Sequence, residues 1–175
     1  ESTKTEMLKI GFNEKKIHII YNGVDHTLFK PGSEKTVQPS IVYVGRLKKY
    51  KRLELLLDAF TKVKKKLPQA TLTIAGSGDQ EESLRKLIEE KKISGVQFLG
   101  FVDDATKVDL LQRSWVFATP TSVEGWGLVV LEAAACGTPT VGFNVSGIRE
   151  AIIPGKSGLL VPENGDFAQS LLRIL

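Results

Sequence analysis

The stretch WVFATPTSVEGWGLVVLEAAACGTPTVGF, residues 115–143, reads as a strand, a loop, a helix and a second strand. Trp115–Ala118 and Thr140–Phe143 are apolar on both faces, as is typical of parallel strands that are covered by helices. The helical pattern between them, Leu128–Cys136, ends at Gly137, a residue type that often follows the last turn of a helix. The stretch therefore predicts one β–α–β unit of a parallel sheet.

The same alternation of strands and helices continues on both sides of this unit. Four further strands are predicted at Ile41–Val44, Thr71–Ala75, Val96–Leu99 and Leu159–Val161. Helices are predicted at Leu53–Leu67, Gln80–Lys91, Ala105–Arg113 and Phe167–Leu175, with a short turn near Ile148–Ile152. The repeated alternation indicates an α/β fold with a doubly wound parallel sheet.

The beginning of the chain does not follow this repeat. Ile17–Tyr21 predicts a separate strand, and Asn22–Gly23 predicts a turn after it. We place a domain boundary near residue 36, so that residues 36–175 form the sheet domain and residues 1–35 precede it. Because the chain begins without a methionine and ends inside a helical pattern, we expect it to be a piece of a longer protein.

The composition is ordinary for a soluble domain, with 42% hydrophobic and 25% charged residues. The net charge of +4 suits an anionic ligand or a membrane surface and is too small to indicate nucleic acid. The single cysteine, Cys136, excludes an internal disulfide and is consistent with a reducing compartment such as the cytoplasm. No apolar run is long enough to cross a bilayer.

A doubly wound sheet binds its ligands at the carboxyl ends of its strands. The residues that directly follow the predicted strands are therefore the candidates for ligand contacts. These residues form five segments, Gly45–Arg46, Gly76–Gly78, Gly100–Asp104, Thr119–Gly127 and Asn144–Gly147.

Two carboxylates, Glu124 and Glu132, lie eight positions apart around the start of an apolar helix. The free N–H groups of the first helical turn, with Gly125 and Gly127 leaving space beside them, form a site for an anion. Carboxylates accept paired hydrogen bonds from vicinal hydroxyls, so an anion site between two of them indicates a ligand with phosphate and hydroxyl groups. The alternative is structural: Glu124 caps the helix and Glu132 pairs with a buried basic residue.

A second strand–helix junction carries two candidate cations. Arg46 follows the strand directly, and Lys51 lies near the start of the next helix, where a positive charge opposes the helix dipole. Together they would hold a diphosphate, the arginine through paired hydrogen bonds and the lysine as a point charge. The alternative is a solvated basic loop, which is the interpretation we give to Lys48 and Lys49.

Two further junctions have simpler explanations. Gly76–Gly78 lacks the remaining residues of a phosphate-binding loop and predicts a tight turn in which Asp79 caps the following helix. Asp103 or Asp104 is expected to cap the next helix. The motifs HExxH, GxSxG and paired CxxC are absent from the sequence, which gives no support to metal-dependent or nucleophilic catalysis.

Several motifs in this order resemble one enzyme family. The segments VYVGRLKKYKR, LTIAGSG, VQFLGFVDDATK and SVEGWGLVVLEAAACGTPTV are similar to those of GT-B retaining glycosyltransferases of the glycosyltransferase 4 family. The resemblance is to the C-terminal, Rossmann-like domain that binds the nucleotide sugar, and residues 1–35 would then be the end of the N-terminal domain and the connector. Tyr21 stands where the family often has proline, and Ser146–Glu150 departs from the family's usual Gly-Gly-x-Pro-Glu.

The resemblance implies roles for individual residues. Arg46 and Lys51 would hold the diphosphate, Glu124 would contact the donor sugar, and Glu132 would bind the ribose hydroxyls. We assign Arg46, Lys51 and Glu124 to catalysis. The remaining donor-binding residues implied by the resemblance are Gly45, Val102, Asp104, Lys107, Gly125, Trp126, Gly127, Leu128 and Val129, of which Val102, Asp104 and Lys107 would line the base pocket.

The resemblance also implies a reaction and a setting. The whole enzyme would transfer a hexose with retention and without a metal or cofactor. The preferred donor is GDP-mannose, which supplies mannose, and the alternative is a UDP-hexose. The product would belong to glycan, lipopolysaccharide or glycolipid biosynthesis. The missing N-terminal domain would bind most of a lipid-linked or saccharide acceptor. We expect this enzyme in the cytoplasm or peripherally at the cytoplasmic membrane face, and we expect the 175-residue chain alone to be inactive.

Two other functions fit the same fold class. One is a nucleotide- or sugar-phosphate-binding module without transferase chemistry, because a fold alone does not fix a function. The other is a dinucleotide-dependent oxidoreductase, which the sequence disfavours because its first predicted strand is not followed by GxGxxG.

Overall fold

Six parallel strands form a single sheet in the computed structural model, which describes residues 2–175. The strands are β1 (Ser40–Val44), β2 (Thr71–Ala75), β3 (Val96–Gly100), β4 (Val116–Thr119), β5 (Thr140–Phe143) and β6 (Gly158–Val161). Their order across the sheet is β3-β2-β1-β4-β5-β6, and every neighbouring pair is parallel. The predicted doubly wound α/β fold is confirmed.

All helices but the first follow a strand and bury apolar residues in the core. They are α1 (Ser2–Lys9), α2 (Leu53–Lys66), α3 (Glu81–Glu90), α4 (Asp104–Arg113), α5 (Leu128–Ala135), α6 (Ile148–Ala151) and α7 (Phe167–Leu172). In α2 the buried residues follow helical spacing, so one face of the helix enters the core while its lysines remain at the surface. No helix within residues 2–175 is long and apolar enough to cross a membrane.

The chain changes direction across the sheet between β1 and β4. From β1 it runs outward through β2 and β3, and then returns to form β4 on the other side of β1. At such a switch point the connections leave the two central strands in opposite directions, so a crevice opens above their carboxyl ends. The loops that follow β1 and β4 form the walls of this crevice.

The predicted strand positions agree closely with the structure. Thr71–Ala75 and Thr140–Phe143 match β2 and β5 residue for residue, three other strands differ by one residue at one end, and β4 is shifted by one residue from the predicted Trp115–Ala118. Helix α7 is shorter than predicted, because it ends at Leu172. These strands are short apolar runs between glycine-containing turns, and that pattern leaves little freedom in where they begin and end.

The predicted strand at Ile17–Tyr21 is wrong. This segment is extended without being paired to the sheet, and Ile20 and Tyr21 are 88% and 58% exposed. A strand needs a partner for its backbone groups, and the six strands of the sheet provide none at this position. The sequence analysis also missed α1, whose described residues are not buried against the core.

Helix capping by aspartate is confirmed at one of the two predicted positions. The Asp103 carboxylate accepts a hydrogen bond from Thr106 N–H and caps α4, which holds the pKa of Asp103 below its usual value. The prediction for Asp79 is wrong, because Gln80 precedes α3 and Asp79 instead forms an ion pair with Lys48 at 2.9 Å. The Asp79 carboxylate thus contacts the Lys48 ammonium in the loop after β1 and does not cap the helix.

Gly76 allows the backbones after β1 and β2 to lie against each other. Its φ is +133°, and a Cβ atom at this position would lie 1.9 Å from the carbonyl oxygen of Gly45. No rotamer can relieve a contact between Cβ and a backbone oxygen, so only glycine fits without movement of the β1 loop. The two loops are therefore positioned together.

We predict that Gly76→Ala lowers the free energy of unfolding by more than about 2 kcal/mol, because strain at positive φ adds to the clash with Gly45. The matched control is Gly100→Ala after β3, where φ is +68° and no described heavy atom lies within 4 Å of the added Cβ. This control should lose only about 1 kcal/mol, the cost of placing alanine at positive φ.

Denaturant unfolding followed by circular dichroism would measure both variants. Equal losses for the two variants would contradict a specific contact between the β1 and β2 loops.

Candidate functional site at the carboxyl edge of the sheet

Two adjoining cavities lie above the carboxyl ends of the central strands. The first, the switch-point cavity, has a volume of about 250 Å³ and lies between the loops after β1 and β4. The second, the β3-side cavity, has a volume of about 520 Å³ and extends toward the loops after β2 and β3. Both cavities are lined by Val44, Gly45, Arg46 and Val129, so the residues after β1 and the start of α5 connect them.

The switch-point cavity brings together most of the residues that we predicted for the phosphate and the sugar. Its lining includes Arg46, Lys51, Glu124, Gly127 and Leu128. These residues come from two loops that are distant in sequence: Lys51 and Glu124 are 73 positions apart. The strand order places the two loops side by side. The cavity therefore combines two cations and one carboxylate.

Helix α5 begins at the wall of this cavity. Gly127 precedes it in the left-handed conformation with φ +73°, and the first helical residues, Leu128 and Val129, line the cavity. The first N–H groups of an α-helix lack partners within the helix, and the dipole places a partial positive charge there. At its other end, N–H groups of Gly137 and Thr138 bond back to Ala134 and Ala133, which confirms the predicted stop.

Lys51 and Glu124 form an ion pair inside the switch-point cavity. The ammonium donates to Glu124 Oε2, and the two side chains are only 12% and 28% exposed. The structural alternative, in which Glu124 caps α5, is wrong because Gly127 occupies the cap position and no side chain caps the helix. The carboxylate instead neutralises the lysine across the crevice.

The loop that carries Glu124 rests on the loop after β5. A Cβ atom on Gly147 would lie 2.2 Å from the carbonyl oxygen of Glu124, so the two backbones are in direct contact. Ile148, the next residue, lines the switch-point cavity. The segment Ser146–Glu150, which departs from the family pattern, thus supports the Glu124 loop from below.

The β3-side cavity contains the residues that we predicted for the base. Val102, Asp104 and Lys107 line it together with residues of the β2 loop. Lys107 lies between two carboxylates, with its Nζ 3.0 Å from Asp104 Oδ1 and 3.1 Å from Glu132 Oε1. Burial by itself would lower the pKa of Lys107, but the hydrogen bonds and charges of these carboxylates raise it above the ordinary 10.5.

Glu132 is buried in α5, with its side chain 7% exposed. The structural alternative is correct for one of its oxygens, because Oε1 accepts a hydrogen bond from Lys107. The other oxygen, Oε2, is buried and has no hydrogen-bond partner among the described residues. A buried carboxylate oxygen without a donor is costly, so the pairing with Lys107 accounts for only half of this group.

Gly125 and Trp126 do not line either cavity. The Trp126 ring packs against the Tyr21 ring, with 5.1 Å between their centroids. The position of the tryptophan side chain therefore gives no support to the predicted contact with the donor. This side chain contacts the segment before β1, which we call the connector.

Sequence reasoning missed one aromatic residue of the switch-point cavity. Tyr43 lies in β1, and its hydroxyl donates to the Arg46 carbonyl at 2.9 Å. Burial, and to a lesser degree the charge of Glu124, raises the pKa of Tyr43. In the sequence this residue is part of an apolar strand, and only its distance of two positions from Gly45 could have indicated its place at the cavity.

The family model for glycosyl transferases group 1 matches residues 24–175, which is most of the chain and includes every residue of both cavities. The chain belongs to this family.

Among the curated relatives of this group 1 chain is the glycogen synthase of Mycobacterium tuberculosis, 35% identical over 158 residues, which cover 89% of this chain and 38% of that protein. Another is the D-inositol 3-phosphate glycosyltransferase of Mycolicibacterium smegmatis, 34% identical over 180 residues, 93% of this chain and 41% of that protein. The chain therefore spans about two fifths of the length of these relatives.

A solved structure with the same fold is that of TarM from S. aureus, determined in complex with fondaparinux, α-GlcNAc-glycerol and UDP. It has a TM-score of 0.89 and 24% identity, and the match covers 99% of this chain and 35% of TarM. This group 1 chain thus has the fold of about one third of the longer TarM chain.

For the ion pair between α4 and α5 we predict that Lys107→Met lowers the free energy of unfolding by about 2 kcal/mol, because it leaves the buried Glu132 charge without its partner. Adding Glu132→Gln should recover part of this loss, because the charge is then removed. Lys86→Met is the matched control: it breaks an exposed pair with Glu82 and should change stability by no more than about 0.5 kcal/mol.

The same ion pair predicts a pH dependence. Since the pKa of Lys107 is raised in the folded chain, its contribution is complete below the ordinary 10.5 and is lost as the pH rises through the higher folded value. Urea unfolding of the chain and of Lys107→Met, from neutral pH to well above 10.5, would show the two stabilities converging at the alkaline end. A constant difference across this range would contradict the ion pair.

Proposed function

We propose that this chain is the nucleotide-sugar-binding part of a glycosyltransferase that transfers a hexose with retention. The observation that carries the proposal is the pair of connected cavities, one lined by two cations and a helix start, the other lined by Lys107, which pairs with the half-satisfied buried carboxylate Glu132. A nucleotide sugar has the same order of groups, with a diphosphate between a sugar and a nucleoside.

The diphosphate fits the switch-point cavity on electrostatic grounds. Arg46 offers a planar set of donors, Lys51 a compact charge, and the first N–H groups of α5 offer fixed dipoles. Together these groups bind an anion without the rearrangement that bulk water would require. In the proposal they meet the charge of the diphosphate without a metal.

The nucleoside fits the β3-side cavity. Glu132 Oε2 is a buried acceptor without a donor, and a ribose hydroxyl would supply one. Lys107 holds the other carboxylate oxygen, so the acceptor is already oriented before a ligand arrives. Val102 and Asp104 would then lie beside the base.

The donor sugar would lie near Glu124, which can accept hydrogen bonds from its hydroxyls. In the transfer the bond between the anomeric carbon and the diphosphate oxygen breaks, and the nucleoside diphosphate leaves with the electron pair. The acceptor hydroxyl oxygen bonds to the same carbon, and its proton passes to the departing diphosphate oxygen. Arg46, Lys51 and the α5 start would stabilise the negative charge that develops on the leaving oxygen.

The identity of the donor and the acceptor is the finer part of the proposal. The VDDATK segment favours GDP-mannose, and the UDP in the TarM structure supports a UDP-hexose as the alternative. The lipid-linked or saccharide acceptor would be bound mainly by a domain outside this chain. We propose a cytoplasmic enzyme, with the cytoplasmic membrane face as a second place of action.

We predict that the chain binds GDP or UDP in calorimetric titrations and does not bind NAD. Glu132→Gln should weaken that binding about tenfold or more, because a charge-assisted hydrogen bond to ribose contributes roughly 1.5–3 kcal/mol. The nucleotide that binds with the higher affinity identifies the base. Glu89→Gln, an exposed carboxylate on α3, is the matched control and should leave the affinity unchanged.

Each outcome has a definite meaning. Binding of GDP or UDP that Glu132→Gln leaves intact, in a variant with an unchanged melting temperature, would contradict the ribose contact. NAD binding would favour the oxidoreductase. Binding without sugar transfer by the longer protein, measured with radiolabelled donor, would favour a binding module without chemistry.

A further inference from the structure

Tyr50 lies in the turn between the two cations of the switch-point cavity. The chain forms one 3-10 turn at Lys49–Lys51 before α2 begins, and this turn places the tyrosine directly before Lys51 and four residues after Arg46. Among the described residues, Tyr50 is half-buried and is not part of the lining of either cavity. Its residue type and its spacing did not indicate a role at the site from the sequence alone.

The Tyr50 side chain contacts both cations. Its hydroxyl oxygen accepts a hydrogen bond of 2.8 Å from Arg46 Nη2. The face of its ring lies 5.2 Å from Lys51 Nζ, within the range of a cation–π contact. One side chain thus fixes a guanidinium through its oxygen and attracts an ammonium through its ring.

The backbone of Tyr50 contacts the opposite wall of the crevice. Its carbonyl oxygen accepts hydrogen bonds from Ser122 N–H at 2.9 Å and from the Ser122 hydroxyl at 3.0 Å. Ser122 belongs to the loop after β4 that carries Glu124 two positions later. The turn with the cations and the loop with the carboxylate are therefore joined at Tyr50.

We propose that Tyr50 is a positioning residue that holds Arg46 and Lys51 at the spacing needed for the two phosphates of a nucleoside diphosphate. The proposal rests on the proposed function, because it assigns Tyr50 to the same site. Arg46 is exposed and would otherwise sample many rotamers, so a fixed acceptor lowers the entropy lost on binding. The oxygen and the ring face also place negative potential beside two positive charges that repel each other.

A positioning role and a purely structural role give different results in a double-mutant cycle. If Tyr50 acts through Arg46, removing its hydroxyl has no further effect once Arg46 is gone. If it acts only through folding, the two effects add. The cycle consists of Tyr50→Phe, Arg46→Ala and the double variant, and Tyr50→Phe keeps the ring, the contact with Lys51 and every backbone hydrogen bond.

The probes are GDP and UDP, titrated into the 175-residue chain by calorimetry, with the corresponding monophosphates for comparison. Tyr50→Phe should weaken diphosphate binding about fivefold, the value of one hydrogen bond, and monophosphate binding by less. Tyr50→Leu should weaken it further, because the ring contact with Lys51 is also lost. Lys49→Ala, an exposed lysine in the same turn, is the matched control for charge and should change affinity less than twofold.

The expected result is a double variant that binds no more weakly than Arg46→Ala alone. Additive losses, an unchanged affinity in Tyr50→Phe, or an Arg46→Ala variant that binds normally would each overturn the role of Tyr50 while the proposed function stands. A folded, unsubstituted chain that binds neither nucleoside diphosphate would overturn the proposed function, and the role of Tyr50 with it.

Discussion

The reversal of strand order at β1 is the constraint on which the rest of the structure depends. Because β1 pairs with β2 on one side and with β4 on the other, two loops that are distant in sequence end at the same edge. Gly45–Lys51 supplies the cations and Thr119–Gly127 supplies a carboxylate and the start of α5. If β1 and β4 were not neighbours, the same residues would lie at the same edge but too far apart to line one cavity.

Charge compensation keeps this edge stable without a ligand. Lys51 pairs with Glu124 in the first cavity, and Lys107, in the lining of the second, pairs with the buried Glu132. Charges at this depth persist only with partners, and removing one partner costs more than the pair contributes. The second pair leaves Glu132 Oε2 without a donor among the described residues, so one buried acceptor at this edge stays unused.

The sequence was sufficient for the sheet because each strand is a short, mostly apolar run, and in β1, β2 and β3 glycine stands directly at its end. It failed at Ile17–Tyr21, where β-branched residues indicate a strand but the sheet offers no partner. Motif resemblance placed Arg46, Lys51 and Glu124 in one cavity. It could not predict the contacts of Tyr43 and Tyr50, because these contacts depend on how two loops pack against each other, and a sequence pattern does not specify that packing.

The contact between Tyr21 and Trp126 gives the chain an optical property. The sequence contains two tryptophans, and Trp115 is held at the opposite edge of the sheet, where its Nε1 donates to the Thr36 carbonyl at 2.7 Å. Trp126 instead lies two residues after Glu124, with its ring against the connector. Any displacement of the connector or of the Glu124 loop changes the surroundings of this indole, so its fluorescence reports on the site while Trp115 supplies a constant background.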